Sequence, residues 1–216
     1  MTVLVAGGTG ALGSAVVRDL ADAGYGVIAL DRQGESEGVT TVHADLLDPA
    51  ATSEAVAAVE DLEAVVNLVG GFAMGPKVGD SELEDFEKML RLNLVPAFNL
   101  AHAAMPRLAE AGGGAFVCVG AKAALNPFPG AAGYVTGKAG VITFIKALDA
   151  EYKHAGVRCN AILPSVIDTP ANREAMPDSD RSGWVAPAQI ARVIRLLVSP
   201  DSEVVSGAAV PVYGKG

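Results

Sequence analysis

The sequence predicts an α/β fold: a doubly wound, mostly parallel sheet of about seven strands with helices on both faces, in a single domain spanning residues 1–216. Three observations carry that prediction. Short apolar runs alternate with stretches of helical periodicity along the chain, and no internal repeat interrupts them. The composition is rich in Ala, Val and Gly, with 50% hydrophobic, 19% charged and only 5% aromatic residues, which suits strands buried on both faces. The length of 216 residues supports one ample core. A domain of about 150 residues already buries roughly 68–70% of its unfolded surface.

The elements follow in order. Thr2–Ala6 (TVLVA) is an apolar strand that runs directly into Gly7-Gly8-Thr9-Gly10-Ala11-Leu12-Gly13, and the helical pattern Ala11–Ala23 starts inside that turn. Tyr25–Leu30 (YGVIAL) is the next strand and leads into Asp31; Thr40–Ala44 is the third. Asp48 is an N-cap and Pro49 a first-turn residue for a helix over Pro49–Val59. A strand at Ala64–Val69 precedes a long helix, Glu82–Glu110, opened by the capping box Ser81-x-x-Glu84. Pro96 lies inside that helix and is expected to bend or interrupt it just beyond Asn93. Strand Ala115–Val119, helix Ala132–His154, strand Val157–Leu163, helix Pro187–Val198 and strand Ala208–Val212 complete the alternation. The Pro/Asp/Ser/Gly-rich stretch Thr169–Gly183 carries little of either pattern and reads as a mobile lid or as an ordinary surface loop.

Charge and composition exclude several classes of function. A net charge of −9 is the opposite of the basic stripe that nucleic-acid binding needs, and it disfavours anionic membrane surfaces. No apolar run approaches the roughly 18–20 residues of a membrane span, and the N-terminus lacks the charged region of a signal peptide. Cys118 and Cys159 fall in strands expected to be buried and have no C-x-x-C partner, which points to reduced thiols and a cytoplasmic protein. His43, His102 and His154 are scattered without metal-ligand spacing, so no metal site is expected.

Gly8, Gly10 and Gly13 fit G-x-G-x-x-G between a strand and a helix. Such glycines allow a tight turn and close backbone approach to a pyrophosphate, which the helix N-terminus then stabilises. The turn therefore predicts a Rossmann-like dinucleotide site. Asp31, about 20 residues further on, suits the adenosine ribose hydroxyls and repels a 2′-phosphate. Arg32 follows directly and would pair with that phosphate. NAD is the leading cofactor and NADP the alternative, with a small molecule as substrate.

The segment Gly120–Gly140 (GAKAALNPFPGAAGYVTGKAG) places Tyr134 and Lys138 one helical turn apart, among small residues that mark a helix approaching a neighbour closely. Residues at i and i+4 share a face with Cβ atoms about 5–6 Å apart. A cation held there favours the phenolate and moves a phenol from about pKa 10 toward a range useful for acid–base work. Tyr134 is accordingly the candidate general acid in the reductive direction.

Together these residues resemble the short-chain dehydrogenase/reductase family over nearly the whole chain. The family turn T-G-x-x-x-G-x-G begins here at Ala6-Gly7, has Ala11 where its second Gly is usual, and closes at Gly13. The N-N-A-G element corresponds to Asn67-Leu68-Val69-Gly70, the mid-helix Asn to Asn93, and the Tyr-x-x-x-Lys to Tyr134 and Lys138. The nicotinamide loop P-G-x-I-x-T corresponds to Pro164-Ser165-Val166-Ile167-Asp168-Thr169. The resemblance implies hydride transfer between a nicotinamide cofactor and a small carbonyl or quinonoid substrate. It implies that Lys138 bonds the nicotinamide ribose and that Asn93 holds a water linking Lys138 to solvent. It adds Asp45 and Leu46 at the adenine, and Asn67, Gly70, Pro164, Ile167 and Thr169 along the cofactor. It also implies a homodimer or homotetramer paired through the helices that carry Asn93 and Tyr134.

One departure from the family pattern bears on substrate. The family's catalytic Ser lies 13 residues before the Tyr, and that position is Ala121. Gly120-Ala121-Lys122-Ala123-Ala124-Leu125, Gly70-Gly71-Phe72-Ala73 and the run from Leu163 to Arg173, with Met176-Pro177 and Trp184 beyond, resemble the dihydropteridine reductase branch, which also lacks the Ser. The same segments fit a reductase subgroup with another substrate. Ala121 also fits a catalytically weak or inactive cofactor-binding regulator or scaffold of the same fold. Lys122 reads as a replacement donor or a solvated lysine, and Phe72 as a platform for a flat substrate ring or an apolar contact within its loop. Arg173 and Trp184 flank the Thr169–Gly183 stretch and receive no catalytic role.

Overall fold

Val3 and Val5 face one side of the first strand, Leu4 and Ala6 the other, and all four are fully buried. A strand apolar on both faces needs a cover on each side, and the chain supplies it. In the computed structural model, which describes residues 1–215, the strands are β1 (Thr2–Ala6), β2 (Gly26–Asp31), β3 (Thr40–His43), β4 (Leu62–Asn67), β5 (Gly114–Val119), β6 (Val157–Pro164) and β7 (Ala209–Val212). They form one sheet in the order β3-β2-β1-β4-β5-β6-β7, every pair parallel. The helices are α1 (Ala11–Asp22), α2 (Pro49–Ala57), α3 (Leu83–Glu110), α4 (Ala132–Tyr152), α5 (Pro170–Ala175) and α6 (Pro187–Val198).

Two cores sandwich the sheet. Val16, Val17 and Leu20 of α1 pack with Ile190, Ile194 and Leu197 of α6 against Val3, Val5, Val66 and Val117. On the other face, Val56 of α2, Leu100 and Met105 of α3, and Val141 and Ile145 of α4 cover Leu4, Val65 and Phe116. Arg195 Nε donates to Asp19 Oδ2 at 2.7 Å, joining the last long helix to the first. Arg158 sends its guanidinium into the end of α6, donating to the carbonyls of Leu197, Val198, Ser199 and Ser202. The strand order turns back between β1 and β4, so their C-terminal ends open the crevice where such sheets bind ligands. No helix among the described residues is long and apolar enough to cross a membrane.

The predicted alternation holds, and Asp48 caps α2 as expected, its Oδ1 accepting from Ala50 N and Ala51 N. Three local expectations are corrected. Of the two outcomes expected at Pro96, interruption does not occur: α3 runs unbroken from Leu83 to Glu110 through both Pro96 and Pro106. A helix-interior proline costs about 3 kcal/mol. Burial of Pro96, Ala97, Leu100, Ala101 and Ala104 on one face offsets that cost. The Ser81 capping box does not form. Ser81 Oγ donates instead to the carbonyls of Pro76 and Lys77, closing a short turn before the helix. Glu82 is then the N-cap, without a side-chain bond, and Glu84 and Asp85 lie in the positive first turn. Finally, Thr169–Gly183 contains α5, with Thr169 Oγ1 accepting from Asn172 N at 3.2 Å and Pro170 in the first turn.

Candidate active site

The turn between β1 and α1 is built for close approach. Gly7 adopts φ +79° and donates its amide to Leu30 O at 2.8 Å. A Cβ at Gly13 would collide with the Gly7 carbonyl oxygen, and one at Gly8 would sit 2.8 Å from the Ala29 Cβ. Gly10, the N-cap of α1, supplies no side-chain cap. The first-turn amides of Ala11, Leu12 and Gly13 therefore lack a side-chain acceptor, which fits an anionic pyrophosphate. Asp31 closes the same pocket. Its Oδ2 accepts from Thr9 N at 3.2 Å and Thr9 Oγ1 at 2.6 Å, and its Oδ1 from Arg32 N at 2.8 Å. Arg32 itself is exposed. Asp45 is also exposed and accepts from Leu47 N at 2.9 Å in a local turn, whereas Leu46 is buried in the core with its carbonyl taken by Asn99 Nδ2.

The second half of the site lies where α4 crosses α3. Gly133 and Gly137 make that crossing close: a Cβ at Gly133 would lie 2.9 Å from Met89 Cβ, and one at Gly137 would lie 3.2 Å from Asn93 Cβ. Lys138 is thereby buried, 5% exposed, and its Nζ donates to Val119 O at 3.0 Å. Asn93 clamps the loop after β4, its Oδ1 accepting from Gly71 N at 3.2 Å and its Nδ2 donating to Gly71 O and Met89 O at 3.0 Å. Gly70 fills the space between the two, since a Cβ there would fall 2.6 Å from Asn93 Oδ1 and 2.8 Å from Lys138 Nζ. Asn67 turns the chain out of β4 by accepting from Val69 N at 3.0 Å. The two halves of the site thus lie at the ends of β1, β4 and β5, which are neighbours in the sheet.

The electrostatics differ from the expectation that Lys138 lowers the Tyr134 phenol. Burial pushes the phenol up from its ordinary value. Burial also pulls the Lys138 ammonium down to about 8, with Cys118 opposing, and raises the Cys118 thiol to about 12. The reason is geometric: the ammonium is aimed at the Val119 carbonyl. Ala121 is buried and offers no hydroxyl. The Lys122 Nζ lies over the Tyr213 ring, 4.9 Å from the centroid.

The loop after β6 carries Pro164, Ile167 and Thr169. Ile167 bridges to Val185, and Thr169 caps α5. Asp168 pairs with Arg173 at 2.6 and 2.7 Å, which holds the Asp168 carboxyl below its usual range. Trp184 lies beneath the Arg181 guanidinium, 5.6 Å away. Phe72 meets Tyr134 edge to face at 5.0 Å, and Phe128 stands 6.4 Å from Phe72. Phe128 escaped the sequence reading. Its signal was an aromatic residue between Pro127 and Pro129, just ahead of the Tyr134 helix, in a chain with few aromatics.

Burial of Lys138 predicts a pH signature. The group is charged in both states below about 8, where desolvation costs the folded protein most. Between about 8 and the ordinary 10.5 the unfolded chain binds more protons, so the cost fades as pH rises. Urea unfolding of the native chain and Lys138→Met across that window is expected to show the native protein gaining about 1–3 kcal/mol relative to the variant. Tyr134 is common to both proteins and cancels. A constant difference would mean that Lys138 titrates alike in both states.

The chain is similar to known proteins along nearly its whole length. The short chain dehydrogenase family matches residues 1–180. The chain is 30% identical over 226 residues to the 3-oxoacyl-(acyl-carrier-protein) reductase MabA of Mycobacterium tuberculosis, covering 99% of this chain and 91% of that one. It is 30% identical over 218 residues to the dihydropteridine reductase of Dictyostelium discoideum, covering 96% and 92%. A short chain dehydrogenase/reductase family oxidoreductase from Burkholderia thailandensis superimposes with TM-score 0.89 at 28% identity, covering 99% and 91%. The chain belongs to the short-chain dehydrogenase/reductase family, whose members are NAD(P)-dependent oxidoreductases.

Proposed function

We propose that the chain, acting as one domain over residues 1–216, is an NADH-dependent reductase of a small conjugated substrate, with quinonoid dihydropterin as the leading candidate. The observation that carries this reading is Tyr134 beside the buried Lys138 and the apolar Ala121. The nicotinamide cofactor supplies the hydride. Tyr134 supplies the proton, and burial keeps its phenol protonated at neutral pH. Lys138, titrating near 8, lies at the C-terminal end of β5, donating to Val119 O, and bonds the nicotinamide ribose when its ammonium turns from that carbonyl. Asn93 acts as a positioning residue that holds Gly71 and, with it, the Gly70 backbone against Lys138.

Ala121 supports the conjugated substrate over a simple ketone. A ketone oxygen receiving charge needs a second donor beside Tyr134, and a half-satisfied buried acceptor costs roughly 1–3 kcal/mol. A conjugated ring spreads the charge and depends on that donor less. The similarity to the Dictyostelium discoideum dihydropteridine reductase supports the same choice. Asp31 at the end of β2 supports NAD over NADP, because a carboxylate there suits the ribose hydroxyls and repels a 2′-phosphate.

Assembly into a homodimer or homotetramer is proposed through α3 and α4. Leu94, Phe98, Thr143 and Phe144 line a shallow apolar groove there, and Phe98 is 55% exposed. A second copy of the same face would cover it.

Three measurements test these readings. Tyr134→Phe is expected to lower turnover by about 10²–10⁴-fold with quinonoid dihydropterin while NADH affinity is retained. Turnover near the native rate would place the proton donor elsewhere, and robust turnover of simple ketones with none of the pterin would remove the substrate assignment. Native protein is expected to bind NADH more tightly than NADPH by fluorescence titration, and Asp31→Ala to narrow or invert that order. A native preference for NADPH would transfer the role to Arg32. Light scattering at micromolar concentration is expected to give a dimer or tetramer; a monomer contradicts the pairing of α3 and α4.

A further inference from the structure

Aromatic residues are 5% of this chain, yet Phe72, Phe128 and Tyr134 gather at one place. Two of them are exposed there: Phe72 at 57% and Phe128 at 40%, beside Met74 at 63%. Apolar side chains of this size lose about 1.5–3 kcal/mol each by remaining in water rather than in a core. They are not loose. Gly75 N donates to Gly130 O at 2.8 Å, stitching the loop that carries Phe72 and Met74 to the loop that carries Phe128. Gly130 has φ +80°, and a Cβ there would lie 2.6 Å from Gly75 O and 3.5 Å from Met74 Cε. The stitch therefore requires glycine at 130, and Pro127 and Pro129 stiffen the chain on either side of Phe128.

We infer that Phe128, held by the Gly75–Gly130 stitch, is a specificity-determining residue that selects a flat conjugated ring as substrate. The inference deepens the reductase reading and rests on it. The ring planes are inclined, Phe72 by 85° to Tyr134 and by 51° to Phe128, so the edge-to-face contact covers one face of that pair, while Phe128 lies parallel to neither ring and keeps its faces free of parallel stacking within the cluster. A planar substrate entering beside Tyr134 meets a Phe72 or Phe128 face and the polarisable thioether of Met74. A puckered saturated ring of the same outline cannot stack and gains only contact area. The prolines and the stitch set Phe128 in place before substrate arrives, so little freedom is lost on binding.

Equilibrium binding to the full chain saturated with NAD tests this without turnover, using an oxidised pterin as the flat probe and a saturated bicyclic ketone as the puckered one. Native protein is expected to prefer the flat probe. Phe128→Ala is expected to weaken the flat probe about tenfold and the puckered one less than about twofold, and Phe128→Trp to restore flat-probe binding. Thermal unfolding of each variant checks that it is folded, and the tryptophan variant keeps the comparison informative if the alanine variant is unstable. Equal binding of both probes by native protein, or equal weakening of both by Phe128→Ala, overturns the inference. The two readings fail separately. An absence of NADH oxidation with every substrate defeats the reductase reading, whereas ring selectivity is read from binding alone.

Discussion

The site depends on how closely α4 lies against α3. Gly133 and Gly137 remove the side chains that would hold the helices apart, and the space becomes a wall of backbone and Asn93. Only at that spacing does Lys138 reach below the surface to Val119 O, with Gly70 closing the gap. Adding a methyl group at either glycine would push on Met89 or Asn93, and Asn93 would carry the displacement to Gly71. Packing and chemistry are thus one constraint. The loop after β4 has its shape because a helix interior, rather than solvent, holds its amides and carbonyls.

Burial sets the proton-binding properties of the same residues. Tyr134 is shifted upward and Lys138 downward because both lose water on burial. The resulting site is nearer to neutral than a solvated Tyr–Lys pair. A site of this kind keeps the phenol protonated and carries its positive charge at the cost of burying an ion. The exposed Asp168–Arg173 pair, in contrast, sits at the rim and is screened by water and salt.

Much of this was legible in the sequence. Valine-rich runs with no polar face specify strands covered on both sides, and the spacing of Gly7 to Gly13 specifies the turn, because few other residue patterns permit it. Tyr134 and Lys138 were legible as a pair from their helical spacing. Their shifted proton affinities were not, because these arise from neighbours distant in the chain. Ser81 misled because its hydroxyl had two local carbonyls within reach, and a capping pattern does not reveal competitors. Pro96 misled for the opposite reason: a local rule was overridden by tertiary packing. The short helix α5 was legible after all in Thr169-Pro170, a cap followed by a first-turn proline, inside a stretch whose composition concealed it.

The Arg195–Asp19 contact has a consequence for how the chain comes together. The helix α1 leaves the ribosome well before its cover α6, with five strands and four helices between them in the chain. Until residues 187–198 emerge, Val16, Val17 and Leu20 have only the sheet beneath them and no neighbour alongside. A growing chain that already contains β1 to β5 therefore presents one greasy flank to the cell throughout synthesis. That flank stays open during biogenesis until α6 arrives to close it.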